Sequence, residues 1–310
     1  MSMLVLGDAL DVLRAMPDES VDEFATSPPY FRQRDYGVPG QIGQEGTVRQ
    51  YLERLLPVFD EGRRVLRPEG TCFVNLGDKH LHGCLQLIPE LFAAEMKRRG
   101  WLPQNGITWH KTNCMPHSAG CRFPSDSEAV YFFSKSRKHY FAPQFEPYAP
   151  ASLKRFEQVN RRGEEFDPAR HKHDGDPSQA PMAVLVRTAK KHKNLMIPGQ
   201  KPHGMHVARA NGNDRDVFDA RGRRMRTVWS LAVARFDGLH FAVWPRELVR
   251  RIVLAGCPPG GVVLDPFVGV GTTVVVAEEL GRVGIGIDIS AEFLAIARQA
   301  VLEAREERAK

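Results

Sequence analysis

An α/β fold with a mostly parallel sheet is the architecture this 310-residue sequence predicts, and three observations predict it. Strand-like and helix-like apolar runs alternate through residues 1–145 and again beyond residue 239. Two loops, Ser27-Pro28-Pro29-Tyr30 and Asp265-Pro266-Phe267-Val268-Gly269-Val270-Gly271-Thr272-Thr273, each stand where such a strand hands over to a helix, although about 235 residues separate them. Between the regular regions, from about residue 144 to 227, Gly163, Pro168, Pro177, Pro181, Pro198 and Gly204 interrupt any periodic pattern.

In chain order, residues 3–6 read as a strand, 9–16 as a helix, and 21–26 as an apolar strand that reaches the Ser-Pro-Pro-Tyr turn. Residues 48–66 carry Tyr51, Leu55, Leu56, Phe59 and Val65 at helical spacing, and Arg67-Pro68-Glu69-Gly70 closes that helix. A strand over 71–76 follows, then a helix over 85–99, and strands over 106–110 and 129–134 joined by a loop that contains Pro116 and Pro124. After the irregular stretch come a helix over 246–255, a strand over 262–264, the glycine loop, a helix over 272–280, a strand over 283–287, and a last amphipathic helix from Ser290. Ser290 suits the N-cap, and Glu292 sits in the first turn, where the helix dipole favours an anion. The chain thus divides into residues 1–145, 146–227 and 228–310, the outer two building one sheet and the middle one forming an insert.

The composition, 42% hydrophobic and 26% charged, describes a soluble globular chain and excludes disorder as its default state. No run approaches the ~18 apolar residues of a membrane span, and no basic region precedes the apolar start, so the expectation is a cytoplasmic protein that meets no membrane. Cys72, Cys84, Cys114, Cys121 and Cys257 include no C-x-x-C pair, which argues against a zinc site or a disulfide framework and predicts reduced core or pocket thiols. The net charge of +6 is uneven: residues 151–226 hold 17 Lys and Arg against 9 Asp and Glu. Arg161, Arg162, Lys190, Lys191, Lys193, Arg221, Arg223, Arg224 and Arg226 cluster there and suit a polyanion such as DNA, which binds through counterion release. A solvated loop region is the other reading of the same charges.

The glycine loop places Asp265 at a strand end, then Gly269 and Gly271, then Thr272 and Thr273 at a helix start. Glycines let a ligand approach backbone, and the helix N-terminus offers free N–H groups to a carboxylate or phosphate. Alone, this is equally a tight turn between strand and helix, because neither full glycine fingerprint for dinucleotides or phosphates is present. Asp288, in Gly286-Ile287-Asp288-Ile289-Ser290 at the end of the next strand, tips the balance, since an acid there can accept hydrogen bonds from both hydroxyls of a ribose. In the other loop, two prolines fix φ and remove donors, leaving an acceptor-rich turn. A nucleobase amine is a poor nucleophile, and acceptors on both its N–H bonds draw it toward an attacking, tetrahedral shape. The Ser27 hydroxyl and Pro28 carbonyl can supply them, and Tyr30 offers a face for a base taken out of the duplex. An ordinary proline-rich turn is the bland alternative.

Taken together these strings resemble the β-class of S-adenosylmethionine-dependent DNA amino-methyltransferases, in which the catalytic turn comes first, target recognition next and the cofactor loop last. Further strings match in order: Gly7-Asp8-Ala9-Leu10, Gln41-Ile42-Gly43-Gln44-Glu45, Arg64-Val65-Leu66-Arg67-Pro68-Glu69-Gly70, Asn75-Leu76-Gly77-Asp78, Trp109-His110-Lys111, Ser127-Glu128 with Phe133-Ser134-Lys135-Ser136, Arg226-Thr227-Val228-Trp229, and His240-Phe241-Ala242 with Pro245. The resemblance implies a circularly permuted, seven-stranded-type Rossmann-like methyltransferase sheet with helices on both faces and an irregular target-recognition insert. It implies S-adenosylmethionine as cofactor: Asp265, Phe267, Gly269, Gly271, Thr272 and Thr273 at its methionine portion, Asp288 at its ribose, Asp8 and Ala9 at its adenine, and His240, Phe241 and Pro245 closing the pocket. Pro266 and Ile289 belong to the same set. Val270 departs from the family, which often has Ser or Ala there.

By the same resemblance Ser27, Pro28, Pro29 and Tyr30 bind the target amine, and a leading Ser is commoner among enzymes that act on cytosine N4, a leading Asp among those that act on adenine N6. Methylation of a ring carbon needs a thiolate, usually after proline, and no cysteine here follows one. Double-stranded DNA is the implied partner. A homodimer and a cognate restriction endonuclease are expectations of the family, and no metal is implied. An RNA or protein-amide methyltransferase and a non-catalytic DNA-binding relative are the alternatives from other classes.

Overall fold

The computed structural model describes residues 2–114, 120–153, 221–234 and 244–309. Its elements run β1 (Met3–Leu6), α1 (Ala9–Ala15), β2 (Val21–Thr26), α2 (Val48–Val65), β3 (Leu66–Leu76), β4 (His80–Leu81), β5 (Cys84–Leu85), α3 (Ile88–Arg98), β6 (Leu102–Lys111), β7 (Ser127–Ser134), β8 (Phe145–Glu146), β9 (Arg223–Arg224), β10 (Val228–Leu231), α4 (Arg246–Gly256), β11 (Val262–Asp265), α5 (Thr272–Glu279), β12 (Val283–Asp288) and α6 (Ala291–Ala309). They fall into two units, residues 1–144 with 226–310 and residues 145–225. In the second, β8 pairs antiparallel with β9.

The first unit is an α/β fold on a sheet of eight strands in the order β1-β12-β11-β2-β3-β7-β6-β10. Only β7 runs against its neighbours; the other pairs are parallel. The chain steps outward in opposite directions from β11 and from β2, so the loops that leave these two central strands part and open a crevice at their C-terminal ends. All six residues of β2 are buried. Phe24 packs against Phe59 and fits only because Gly62 of α2 has no side chain: a Cβ there would lie 2.6 Å from the Phe24 ring. Glu23 points the other way, toward Gly256 at the end of α4.

Helices cover both faces, as the alternation predicts. The buried rings of Tyr51, Phe59 and Phe92 hold α2 and α3 on one side, and each such ring contributes ~1.5–3 kcal/mol on leaving water. α1 begins at Asp8, whose Oδ1 accepts from the backbone of Leu10 and Asp11 at 2.9 and 3.2 Å. Thr47 and Gln50 cap α2 reciprocally.

Several elements differ from expectation, and long-range contacts account for them. The helix expected to close at residues 67–70 ends at Val65, and those four residues bulge within β3: Val21 faces Leu66, yet Glu23 faces Thr71. Arg67 precedes Pro68, which disfavours helix, and its guanidinium holds Asp22 at 2.6 Å. α3 starts at Ile88 rather than 85, because β4 and β5 pair first and Asp78 then accepts from the Leu87 and Ile88 amides. β10 adds an eighth, parallel edge strand beside β6. Cys72 and Cys257 are buried as expected of core thiols, but Cys84, Cys114 and Cys121 are exposed on β5 and the β6–β7 connection, outside the packed layers. Among the described residues no helix is long and apolar enough to cross a membrane.

Candidate functional site

A cavity lies at the C-terminal ends of β11 and β2, and Ser27, Pro28, Pro29 and Tyr30 form one rim. Asp265, Phe267, Gly269, Thr272 and Thr273 form the opposite rim, with Asp288 and Ile289 from the end of β12. Asp8 and Ala9 line it as well. The two loops predicted from sequence therefore face a single space.

Asp265 fastens them together. Its Oδ1 accepts from the Thr26 hydroxyl at 2.6 Å, 239 residues away, and from the Phe267 amide at 3.0 Å; Oδ2 accepts from the Thr273 hydroxyl at 2.6 Å. Burial pushes its carboxyl up to about 6 against the pull of these three donors, so at neutral pH it is an anion held by hydrogen bonds. Asp265 is thus a clasp between the last residue of β2 and the first turn of α5.

The glycine loop is shaped by backbone. Gly271 has φ +89°, and a Cβ there would meet Ala297 Cβ at 2.9 Å, so only glycine lets the loop pass under α6. Gly269, at φ +51°, faces open space: nothing lies within 4 Å of where its Cβ would be. Asp288 steadies the loop, its Oδ2 accepting from the Gly269 amide at 2.9 Å and its Oδ1 from the Ser290 amide at 2.8 Å. Burial raises its pKa against these donors. Ser290 caps α6 as predicted, its hydroxyl accepting from the Phe293 amide at 3.3 Å.

The turn rim is held by side chains. The Tyr51 hydroxyl donates to the Pro29 carbonyl at 2.8 Å, so that carbonyl turns inward instead of toward a ligand. The Tyr30 ring lies against Gly77, where a Cβ would come within 2.6 Å of it. Its hydroxyl accepts from Ser27 at 3.4 Å and donates toward Glu128 at 2.8 Å, with Asn75 Oδ1 at 3.2 Å. Burial first, and then the Glu128 charge, push the Tyr30 phenol well above its ordinary range. Glu128 also accepts from Asn75 Nδ2 at 3.0 Å and pairs with Lys111, whose ammonium lies 5.1 Å from the Trp109 ring centre.

The sequence matches the DNA methylase family of the N6/N4 type over residues 21–299. The chain belongs to that family. This methylase is 30% identical to the type II methyltransferase M.Cfr9I of Citrobacter freundii, over 94% of its own length and 84% of that protein's. It is 28% identical to M.SmaI of Serratia marcescens, over 97% and 91%. Among solved structures it resembles the PvuII DNA methyltransferase, a cytosine-N4-specific enzyme, with TM-score 0.57 and 17% identity over 98% of this chain and 90% of that one. It also resembles TTHA0409 of Thermus thermophilus in complex with S-adenosyl-L-methionine, with TM-score 0.58 and 21% identity over 98% and 96%.

Not every residue singled out in the methylase sequence reaches the cavity. Pro266 and Gly271 shape the loop without lining it, and Pro245 is the N-cap of α4, one residue beyond Trp244, which does line it. His240 and Phe241 lie outside the described residues, as do Arg161, Arg162, Lys190, Lys191 and Lys193. Of the remaining basic residues, Arg223 pairs with Glu146 at 3.0 Å and Arg221 sits 4.1 Å over the Phe145 ring. Arg224 belongs to β9, and the Arg226 carbonyl accepts from Trp229 Nε1 at 2.7 Å. Conversely, Asn75, Lys111 and Glu128 line the cavity although the sequence suggests no role for them; each stands near a strand end in a string shared with the family, which is their only signal. Tyr36 and Phe293, rings 5.7 Å apart and edge-on, line it too.

Proposed function

We propose that this DNA amino-methyltransferase moves a methyl group from S-adenosylmethionine to the exocyclic N4 amine of cytosine in double-stranded DNA, with the base swung out of the helix. The observation that carries the reading is one cavity shared by a turn led by Ser27 and a glycine loop steadied by Asp288. S-adenosylmethionine, when bound, supplies an electrophilic methyl carbon on a sulfonium sulfur. The residues fit it. Open space beside Gly269 accepts a ligand against backbone, and the start of α5 at Thr272 turns amides toward a carboxylate. Asp288 keeps unused lone pairs for ribose hydroxyls, while Asp8 and Ala9 border the adenine end.

On the other rim the Ser27 hydroxyl and Pro28 carbonyl accept from the two N–H bonds of the target amine. Pro29 cannot share that task, since its carbonyl is taken by Tyr51. Tyr30, held between Gly77 and Glu128, presents a fixed ring to the everted base. Holding nucleophile and methyl carbon in line is the main source of rate, because no covalent intermediate is needed. Cytosine rather than adenine is supported by the serine that leads the turn. The insert over 146–227, with its excess of Lys and Arg, supplies DNA affinity and target choice.

Incubation with S-adenosylmethionine and unmethylated duplex DNA, digestion to nucleosides and mass spectrometry test this. N4-methyldeoxycytidine is expected. N6-methyldeoxyadenosine would move the target to adenine, and no methylated nucleoside across varied DNA would overturn the reading.

A further inference from the structure

Methyl transfer to an amine has to release a proton, and the turn rim contains a route for it that ends on a carboxylate. As the nitrogen forms its bond to the methyl carbon, the sulfur–carbon bond breaks and sulfur keeps the electron pair. The nitrogen is left cationic, and one of its N–H protons must go to a base. Ser27, the first acceptor, is the start of a hydrogen-bonded chain: its hydroxyl donates to the Tyr30 hydroxyl at 3.4 Å, and Tyr30 donates to Glu128 Oε2 at 2.8 Å. Glu128 stands on β7, 98 residues from Tyr30, and lines the same cavity.

Resting on the proposed function, we propose that Glu128 is the terminal proton acceptor of the reaction, acting through Tyr30 and Ser27. The amine proton passes to Ser27 Oγ as the Ser27 proton moves to the Tyr30 oxygen and the Tyr30 proton to Glu128. The relay leaves both hydroxyls as they began and Glu128 as a neutral acid.

Three features of the surroundings suit that task. The Tyr30 phenol is held neutral by burial and by the Glu128 charge, so it hands protons on and does not store an anion. Its ring packs against Gly77, the absence of whose side chain leaves just enough space for it there. Among the described residues, the ionisable groups that contact Glu128 are Lys111 from β6 and Tyr30 from the turn, with uncharged Asn75 from β3. Lys111 donates to Glu128 Oε1, and Asn75 fixes its Oε2 toward Tyr30.

Glu128 touches the reacting amine only through the relay, so a structural role for the Glu128–Lys111 pair is what the experiment must separate. Single-turnover transfer of tritiated methyl from S-adenosylmethionine to unmethylated plasmid DNA is measured in light and in heavy water for the full chain, Glu128→Gln, Glu128→Asp and Tyr30→Phe. Wild type should be slower in heavy water, because protons move along the relay as the methyl group is transferred. Glu128→Gln should be slower by about 100-fold, with that solvent isotope effect gone, while S-adenosylmethionine affinity by calorimetry and the KM for DNA stay as in wild type. Tyr30→Phe, which breaks the chain without removing its end, should lose the isotope effect as well, and Glu128→Asp should recover part of the rate. A Glu128→Gln rate within about threefold of wild type with an unchanged isotope effect overturns the relay and leaves the proposed function standing. A loss accompanied by equal loss of cofactor affinity also overturns it, in favour of a structural pair. A wild type that transfers no methyl overturns the proposed function, and the relay with it.

Discussion

The two rims of the cavity are built on different principles. On the glycine-loop side the partners are near in sequence: Asp265 reaches Thr273 8 residues on, and Gly269 reaches Asp288 19 residues on. On the turn side they are distant, Tyr30 meeting Asn75 and Glu128 across 45 and 98 residues. One rim takes its shape from backbone at two glycines and a helix start. The other is assembled from side chains that four separate segments of the sheet bring together. A rim made of backbone should tolerate most substitutions except at its glycines and at the two carboxylates, Asp265 and Asp288, that fasten it, whereas a rim made of side chains should fail residue by residue.

The strongest test of that contrast is the one residue that serves both rims. Asp265→Ala strands the Thr26 and Thr273 hydroxyls and the Phe267 amide without an acceptor, and is expected to cost at least about 3 kcal/mol in denaturant unfolding together with cofactor binding. Next come the glycines, which separate conformation from space. Gly271→Ala combines a left-handed φ with a contact at 2.9 Å on Ala297 and should cost about 2–4 kcal/mol. Gly269→Ala has the same backbone strain but open space, so about 1 kcal/mol is expected, with a larger effect on S-adenosylmethionine affinity than on the unfolding midpoint. Equal costs at the two positions would break the distinction.

Thr26→Val should lose about 1 kcal/mol, and no further stability once Asp265 is already Ala, a double-mutant cycle that measures the clasp alone. The smallest effect falls outside both rims, at Glu23, buried on β2 with no hydrogen-bond partner for either carboxylate oxygen among the described residues. Burial raises its pKa well above the ordinary carboxylate range, so the fold keeps a proton the unfolded chain gives up above about pH 4.3. Its contribution is full below that pH and declines as pH rises. Glu23→Gln should therefore leave methyl transfer unchanged and flatten the fall of the urea midpoint between roughly pH 5 and 8.

The same contrast explains what can be read from sequence. Parallel strands announce themselves as apolar runs, and the glycine loop with Asp288 is a local pattern, so both are legible in the chain itself. The bulge at residues 67–70 is not, because Asp22 on another strand holds Arg67. Nor is the start of α3, which Asp78 caps from 10 residues away. Asp265 is legible as a loop residue but not as a clasp, since Thr26 gives no local sign of its distant acceptor. Glu128 and Lys111 are hidden for the same reason: adjacency of β3, β7 and β6 is a property of the folded sheet.

The division of labour between the rims is tested most directly by calorimetric titration of S-adenosylmethionine into wild type, Ser27→Ala and Asp288→Ala. Ser27→Ala should bind as wild type does while transferring no methyl, and Asp288→Ala should lose at least about tenfold in affinity, a hydrogen-bonded acceptor being worth roughly 1.4 kcal/mol or more. Undiminished binding by Asp288→Ala, or lost binding by Ser27→Ala, would contradict the account.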